Sequence, residues 1–350
     1  MNFASDNAYG AHPAVLQALI DCNEGAVMGY GADPVSARAT AAIRDIFEAP
    51  DAEVHFVATG TAANALVCAQ LSPGFGRIYC HEDAHIETSE CGAPEFFTGG
   101  GKLITLAGAM GKLNAGHLQE ALRIGAAEGW NGGRNAMLSI TNSTEWGTVY
   151  TPQEVAALSR ISHDAGLPVH MDGARFANAI ASLGCRPADL TWRAGVDVLC
   201  FGGTKNGAMG AEAVIFFDPE LAEGFAYRRK QSGHVFSKQR FLAAQMLALC
   251  ENGLWTQLAL QANAAATRLA EGVARAGGHF LAPVQSNAIF AAIPLAAHQR
   301  AVAAGAKYHL WPDASADGSD PVPVRLVTSW NTPDCQIDAL VDLLCQGDGA

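Results

Sequence analysis

Between residues 50 and 217, short apolar runs alternate with stretches of helical spacing, and few folds accommodate that order. The runs at 54–58, 77–80, 103–106, 136–140, 167–172, 196–201 and 213–217 read as strands. The stretches between them read as helices. One opens with Thr151-Pro152-Gln153-Glu154: an N-cap, a proline at the first helical position and a glutamate placed for a capping box. Val155, Leu158 and Ile161 form its apolar face, and Gly166 its stop. Elements alternating in this way build a mainly parallel central sheet flanked by helices. Two further helices, at 13–20 and 35–47, precede the first strand. After residue 240 the order changes. A helical stretch rich in alanine and leucine covers 241–276, strands fall at 288–293 and 322–329, a polar turn region spans 312–323, and a helix covers 334–345. The expectation is an α/β protein. Residues 1–240 form an N-terminal segment and a large domain, and 241–350 a small α+β domain.

Ligands of open α/β sheets gather at the carboxyl ends of strands. The run at 196–201 leads into Gly202-Gly203-Thr204-Lys205-Asn206-Gly207. This sets a lysine just past a strand end, on a loop too small to cover it. Lysine forms Schiff bases with carbonyl compounds, although a solvated lysine in a turn fits the same residues. The run at 167–172 ends in Asp172, 33 positions before Lys205. A carboxylate there suits a cationic ring nitrogen, and equally an N-cap ahead of Gly173. A lysine for an aldehyde and an acid for a pyridinium are the pair that pyridoxal phosphate requires. The run at 54–58 leads into Thr59-Gly60-Thr61, a helix start whose free N–H groups favour an anion such as phosphate.

His170-Met171-Asp172-Gly173-Ala174-Arg175, followed by Phe201-Gly202-Gly203-Thr204-Lys205, resembles the L-threonine aldolase and phenylserine aldolase group. That group lies in the β-eliminating lyase branch of the fold type I pyridoxal-phosphate enzymes. The resemblance runs from Ser5-Asp6-Asn7 to Arg325 and so covers most of the chain. It implies the fold type I, transferase-like architecture and pyridoxal 5'-phosphate as cofactor. The implied reaction is retro-aldol cleavage of L-β-hydroxy-α-amino acids to glycine and an aldehyde. The implied partners are a small amino-acid substrate and further copies of the chain, as a dimer or dimer of dimers. Residue by residue, the resemblance implies that Lys205 carries the cofactor and that Asp172 keeps its ring nitrogen charged. Gly60 and Thr61 hold the phosphate, Thr204 joins the cofactor site, and His85 stacks on the ring. Arg175, beside the cofactor, binds the substrate carboxylate together with Arg325 and Ser5, since arginine grips a carboxylate with two parallel hydrogen bonds.

The chain departs from the family at two points. A histidine follows the asparagine of the loop after the strand at 136–140 in the family, but Asn142-Ser143-Thr144-Glu145-Trp146-Gly147 has none. The base for the β-hydroxyl proton is then His85, Glu145 or an ordered water. Trp146, if it borders the Cβ substituent, favours aromatic side chains. The family's phosphate-binding arginine from a neighbouring subunit has no clean match, and Arg229, Lys238 and Arg240 stand in the corresponding stretch. Three rival readings are open. One is β-elimination or racemisation on the same fold. The second is a zinc hydrolase, since His81-Glu82-Asp83-Ala84-His85 spells H-E-x-x-H. Zinc binding needs both histidines within one helix. Here a strand runs straight into the motif, and Gly92 and Pro94 stop any helix soon after, so no metal is expected. The third is a cofactor-binding protein without catalysis, which has no need of Arg175 and Arg325.

Composition narrows the setting. A net charge of −12 without a basic run argues against nucleic acid and anionic membranes. No apolar stretch reaches the length of a membrane span, and the Met1-Asn2-Phe3 start lacks a signal-peptide pattern. Nine scattered cysteines without a C-x-x-C pair read as free thiols of a reducing cytoplasm. Charged residues are 16% of the chain against 49% apolar, which suggests surface buried between subunits.

Lys205→Ala is expected to abolish the visible absorbance of lysine-bound cofactor and the label left by borohydride reduction. Spectrophotometry and peptide mass mapping read both, and a label on another lysine would overturn the assignment.

Overall fold

The computed structural model describes residues 1–311 and 321–346, so most of the turn region expected at 312–323 lies outside the described residues. The early strands are β1 (Glu53–Val57), β2 (Gly76–His81), β3 (Lys102–Leu106), β4 (Arg134–Thr141), β5 (Val169–Gly173), β6 (Val198–Gly202) and β7 (Glu212–Phe216). They form one sheet in the order β1-β7-β6-β5-β4-β2-β3. From β6 to β3 every pairing is parallel. β7 is antiparallel to both β6 and β1. β1 therefore points the same way as the parallel set, and the carboxyl ends of β1 to β6 meet the start of β7 at one edge. β5, β6 and β7 are buried at every residue. Both of their faces are covered, so each shows in the sequence as a run without polar alternation.

The helix starts hold as the sequence indicates. The Thr151 hydroxyl accepts from Glu154 N–H at 3.2 Å and the Glu154 carboxylate accepts from Thr151 N–H at 2.7 Å, closing the capping box of the helix Pro152–Asp164. The stretch at 241–276 differs from expectation. It forms two helices, Arg240–Cys250 and Leu254–Arg275. Between them Asn252 and Gly253 have φ of 55° and 66°. Asparagine and glycine tolerate this left-handed backbone better than other residues, so the local pair outweighs the helical composition on either side. The short helices His85–Thr88, Ala93–Thr98 and Leu295–Ala303 were not expected, because so few turns leave little periodicity to read.

Leu242, Ala243 and Met246 of the first helix join a large core with Phe47, Phe176 and Phe201. Ala266, Leu269 and Val273 of the second join a smaller core with Ile337, Leu340 and Leu344. The smaller core lies on a second, antiparallel sheet of β8 (His279–Phe280), β9 (Ala288–Ile293), β10 (His309–Leu310) and β11 (Val322–Val327), ordered β10-β11-β9-β8. Phe3 is fully buried in this core. Its N–H donates to the Lys307 carbonyl at 2.7 Å, and its carbonyl accepts from Val327 N–H at 2.8 Å. β11 turns Val322, Val324 and Leu326 to the core, which leaves Arg325 on the other face. No helix among the described residues is long and apolar enough to cross a membrane.

Gly272 packs so closely on Val341 that a Cβ would overlap the valine side chain. Gly272→Ala is expected to lower the unfolding free energy by about 1–3 kcal/mol through overpacking. That exceeds the gain of about 1 kcal/mol in helix propensity. Urea denaturation measures the balance, and a net gain in stability would show that the two helices part freely.

Candidate active site

Where the strand ends meet, a cavity of about 320 Å³ opens. Gly60 and Thr61 reach its wall from the helix after β1, Asp172 and Arg175 from the end of β5, and Thr204 and Lys205 from the end of β6. His85, after β2, and Glu145, after β4, also line it. The helix Gly60–Leu71 presents its first turn to the cavity. Ala62 N–H donates to the Thr59 hydroxyl and Ala63 N–H to the Thr59 carbonyl, both at 3.1 Å. The N–H groups of Gly60 and Thr61 have no acceptor among the described residues. A Cβ at Gly60 would meet nothing within 4 Å. Two free donors at the positive end of a helix, facing open space, fit a phosphate group.

Lys205 sits on the tight turn Thr204–Asn206. It makes no hydrogen bond or ion pair among the described residues. Burial and the Arg175 guanidinium push its ammonium below the ordinary lysine range, against the pull of Asp6, Asp172 and Glu212. The shift increases the share of free amine, the nucleophilic form. Asp172 Oδ1 accepts from Ala174 N–H and Oδ2 from the Asn64 amide, both at 2.9 Å. Burial opposes its charge, but Lys205, the Ala174 N–H, His85 and His170 outweigh burial and hold the carboxyl below the ordinary aspartate range. A lysine amine and a fixed carboxylate on one cavity fit an aldehyde-bearing pyridinium. The Thr204 hydroxyl donates to Glu212 Oε1 at 2.6 Å, and Gly203 N–H to Oε2 at 2.9 Å. Glu212 thereby ties the lysine turn to the start of β7. Burial raises its carboxyl to about 7 despite those bonds and Lys205.

The two arginines stand in different states. Arg175 donates from Nε and Nη2 to the two oxygens of Asp6 at 2.7 and 2.9 Å. Asp6 also accepts from the Asn287 amide at 3.0 Å. The Arg325 guanidinium has no hydrogen bond or ion pair among the described residues. Burial and Arg175 lower its guanidinium to about 10, with Asp6 acting the other way. Neither Arg325 nor Ser5 is among the cavity-wall residues. The Ser5 hydroxyl accepts from Asn7 N–H at 3.1 Å and caps the turn Asp6–Ala8.

Glu145 Oε1 accepts from His85 N–H at 2.8 Å and from the Thr141 hydroxyl at 2.9 Å, while Oε2 is buried without a partner. Burial and the Asp172 charge raise its carboxyl. His85 Nδ1 lies 3.0 Å from Glu90 Oε1. Trp146 does not line the cavity. Its ring packs on Phe290 and Trp311 at centroid distances of 5.3 and 5.1 Å, and its indole N–H donates to Asp83 at 2.7 Å. The expectation that it borders a substrate side chain is not realised, because an aromatic cluster and an indole acceptor together satisfy the ring better than a polar cavity wall.

His81 ends β2, whereas His85 opens a short helix. The His81 ring lies 3.1 Å from the Gly108 carbonyl and accepts from Asp83 N–H at 3.0 Å. Glu82 is exposed. The H-E-x-x-H spelling thus straddles a strand end, its imidazoles engage different partners, and no group of three or more metal-binding side chains occurs among the described residues. Arg229, Lys238 and Arg240 lie outside the cavity wall. Arg229 donates to the Phe56 carbonyl at 3.4 Å and Arg240 to the Gly25 carbonyl at 3.3 Å.

The sequence reading did not find Asp6, Asn64, Glu90, Glu212 or Asn287. Asn64 carried a signal, a lone amide in the otherwise apolar helix segment Ala62 to Ala65, and Glu212 another, a charge opening a buried strand. Glu90 carried none, since an acid between Ser89 and Cys91 looks like any loop residue.

The beta-eliminating lyase family model matches residues 2–295. A low specificity L-threonine aldolase of Pseudomonas aeruginosa is 42% identical over 332 residues, covering 94% of this chain and 93% of its own. Another, from a Pseudomonas species, is 41% identical over 340 residues, covering 97% and 95%. Among solved structures, the threonine aldolase of Leishmania major superposes with a TM-score of 0.91 at 29% identity over 98% of both chains. Serine palmitoyltransferase of Sphingomonas wittichii shares the fold, with a TM-score of 0.71 at 15% identity over 99% of this chain and 86% of its own. The chain therefore belongs to the beta-eliminating lyase family of pyridoxal-phosphate-dependent fold type I enzymes.

Proposed function

We propose that this protein is an aldolase that breaks the Cα–Cβ bond of L-β-hydroxy-α-amino acids of the threonine, allo-threonine or phenylserine type. The products are glycine and an aldehyde. The observation that carries the reading is Lys205, an unpartnered amine shifted below its usual range, on the same cavity as the anionic Asp172 and the open N–H groups of Gly60 and Thr61. The sequence identity to the two Pseudomonas aldolases supports the reaction type.

Bound at Lys205, pyridoxal phosphate supplies the electron sink for the charge released at Cα. Asp172 keeps a negative charge for the ring nitrogen, Gly60 and Thr61 offer donors to the phosphate, Thr204 steadies the lysine turn through Glu212, and His85 offers an aromatic face. Arg325 takes the substrate carboxylate. Arg175, already matched by Asp6, leaves Arg325 as the uncompensated cation, and Ser5 caps the turn that carries Asp6. The β-hydroxyl proton passes to His85, or through a water to Glu145, whose Oε2 is free and whose carboxyl is raised. As the bond breaks, its electrons remain on Cα, the hydroxyl oxygen becomes the aldehyde oxygen, and Cα takes a proton.

A homo-oligomer, dimer or dimer of dimers, belongs to the same proposal. Met28, Tyr30 and Tyr227 expose large apolar surface. The segments that carry them are joined where Tyr30 N–H donates to the Ser237 carbonyl at 3.1 Å. Arg229, Lys238 and Arg240 lie on one of these segments, and this reading offers them as candidates for a neighbouring copy's phosphate. A cytoplasmic setting is supported by the nine free cysteines.

Product analysis with threonine, allo-threonine, phenylserine and serine tests the reaction. Glycine equimolar with acetaldehyde or benzaldehyde is expected. Ammonia with a keto acid and no glycine would point to β-elimination, and inversion without cleavage to racemisation. Arg325→Lys is expected to raise KM about tenfold or more, since a forked charge-assisted contact is reduced to a point charge. An unchanged KM would remove Arg325 from the carboxylate site.

Trp146→Ala is expected to cost about 3 kcal/mol of stability by opening the cluster with Phe290 and Trp311. It should leave the ratio of kcat/KM for phenylserine and threonine unchanged. A shift of that ratio by tenfold or more would return Trp146 to the substrate pocket.

A further inference from the structure

We propose that Glu90 is a positioning residue for His85: it fixes the imidazole as the Nδ1–H tautomer and so leaves Nε2 as the proton acceptor at the cavity wall. The catalytic half of this inference rests on the aldolase reading; the tautomer does not. The Glu90 side chain is 0% exposed, whereas that of His85 is 39% exposed and lines the cavity. Glu90 Oε1 lies 3.0 Å from His85 Nδ1 and accepts from the Asn64 amide at 2.9 Å. The same Asn64 nitrogen donates to Asp172 Oδ2 at 2.9 Å. Its two N–H bonds are thus used, one on each carboxylate, and an ionised Glu90 can only accept at Oε1. Burial raises the Glu90 carboxyl against the bonds from His85 and Asn64, and Asp172 adds to the rise. The bonds that favour the ionised form, from His85 and Asn64, both fall on Oε1, and Oε2 has no partner. With Glu90 ionised, the hydrogen between Glu90 and His85 belongs to the imidazole nitrogen.

A neutral imidazole with hydrogen on Nδ1 has its lone pair on Nε2, and Nε2 has no partner among the described residues. This is the general device by which a buried carboxylate orients a histidine base. Glu145 does a different job on the same residue, since it holds the main-chain N–H of His85 and not the ring. The chain from His85 through Glu90 and Asn64 to Asp172 also couples the ring-facing imidazole to the carboxylate that serves the ring nitrogen.

The test is ¹⁵N NMR of the holoenzyme labelled at histidine, with His85 assigned by the signals lost in His85→Phe. The expected wild-type neutral ring carries its proton on Nδ1. Glu90→Gln keeps an oxygen acceptor and is expected to retain that tautomer, with kcat within a few-fold of wild type. Glu90→Leu removes the acceptor and is expected to lose the tautomer preference and at least about tenfold in kcat, with KM little changed. A Glu90 that only fills space would alter stability or cofactor content and leave the tautomer as it was. If Glu90→Leu does not fold, the wild-type and Glu90→Gln tautomers decide the matter. A proton on Nε2 in the wild type, or a Glu90→Leu holoenzyme with unchanged tautomer and kcat, would overturn the proposal. An Nδ1–H ring in a holoenzyme that cleaves no β-hydroxy amino acid would uphold the positioning role and reject the aldolase reading instead.

Discussion

Asp172 is a negative charge buried among apolar strands, and it persists there because Lys205 and two N–H donors compensate it. An uncompensated buried charge costs several kcal/mol, enough to consume much of the stability of a domain. Each compensating group comes from a different place: Asn64 from the helix after β1, Ala174 from the end of β5, Lys205 from the turn after β6. The order of strands in the sheet is what brings these places together. Glu212 repeats the arrangement on a smaller scale, with Gly203 and Thr204 holding a carboxyl that burial would otherwise neutralise more fully. The cavity is therefore a set of charges that tolerate burial only in one another's presence.

Much of this was legible because parallel strands covered on both faces leave unbroken apolar runs, and because the polar residues that end those runs stand out against them. Asp172 and Lys205 are such residues, and Gly60 and Thr61 follow the same logic at the end of β1. Arg175 was legible as a cation near the site, but its pairing was not, since nothing local links Asp6 to a residue 169 positions away. The same holds for Asn287, whose partner Asp6 comes from the other end of the chain. Arg325 was found through the likeness to a family and not through its own surroundings, because an arginine in a strand looks the same whether it faces water or a buried ion pair. The break at Asn252 and Gly253 was overlooked because a run of helix formers masks one turn-forming pair.

The loop after β4 carries two neighbouring side chains in opposite directions. It lacks the histidine that the likeness leads one to expect, yet its glutamate reaches the cavity and binds the main chain of His85. Trp146, next in the chain, turns away to the second sheet and anchors the loop there. The two neighbours divide the work: one side chain faces the cavity, and the other fixes the backbone from which it projects.

The placement of the first residues bears on when the molecule can become active. Phe3 is hydrogen-bonded to Lys307 and to Val327, and Asp6 is shared between Arg175 and Asn287. Phe3 can dock only once β11 is in place. Contacts of such long sequence separation form late, because the loop they close must be ordered first. The large sheet can thus assemble early, with the segment of Phe3 and Asp6 closing onto the cavity late in folding.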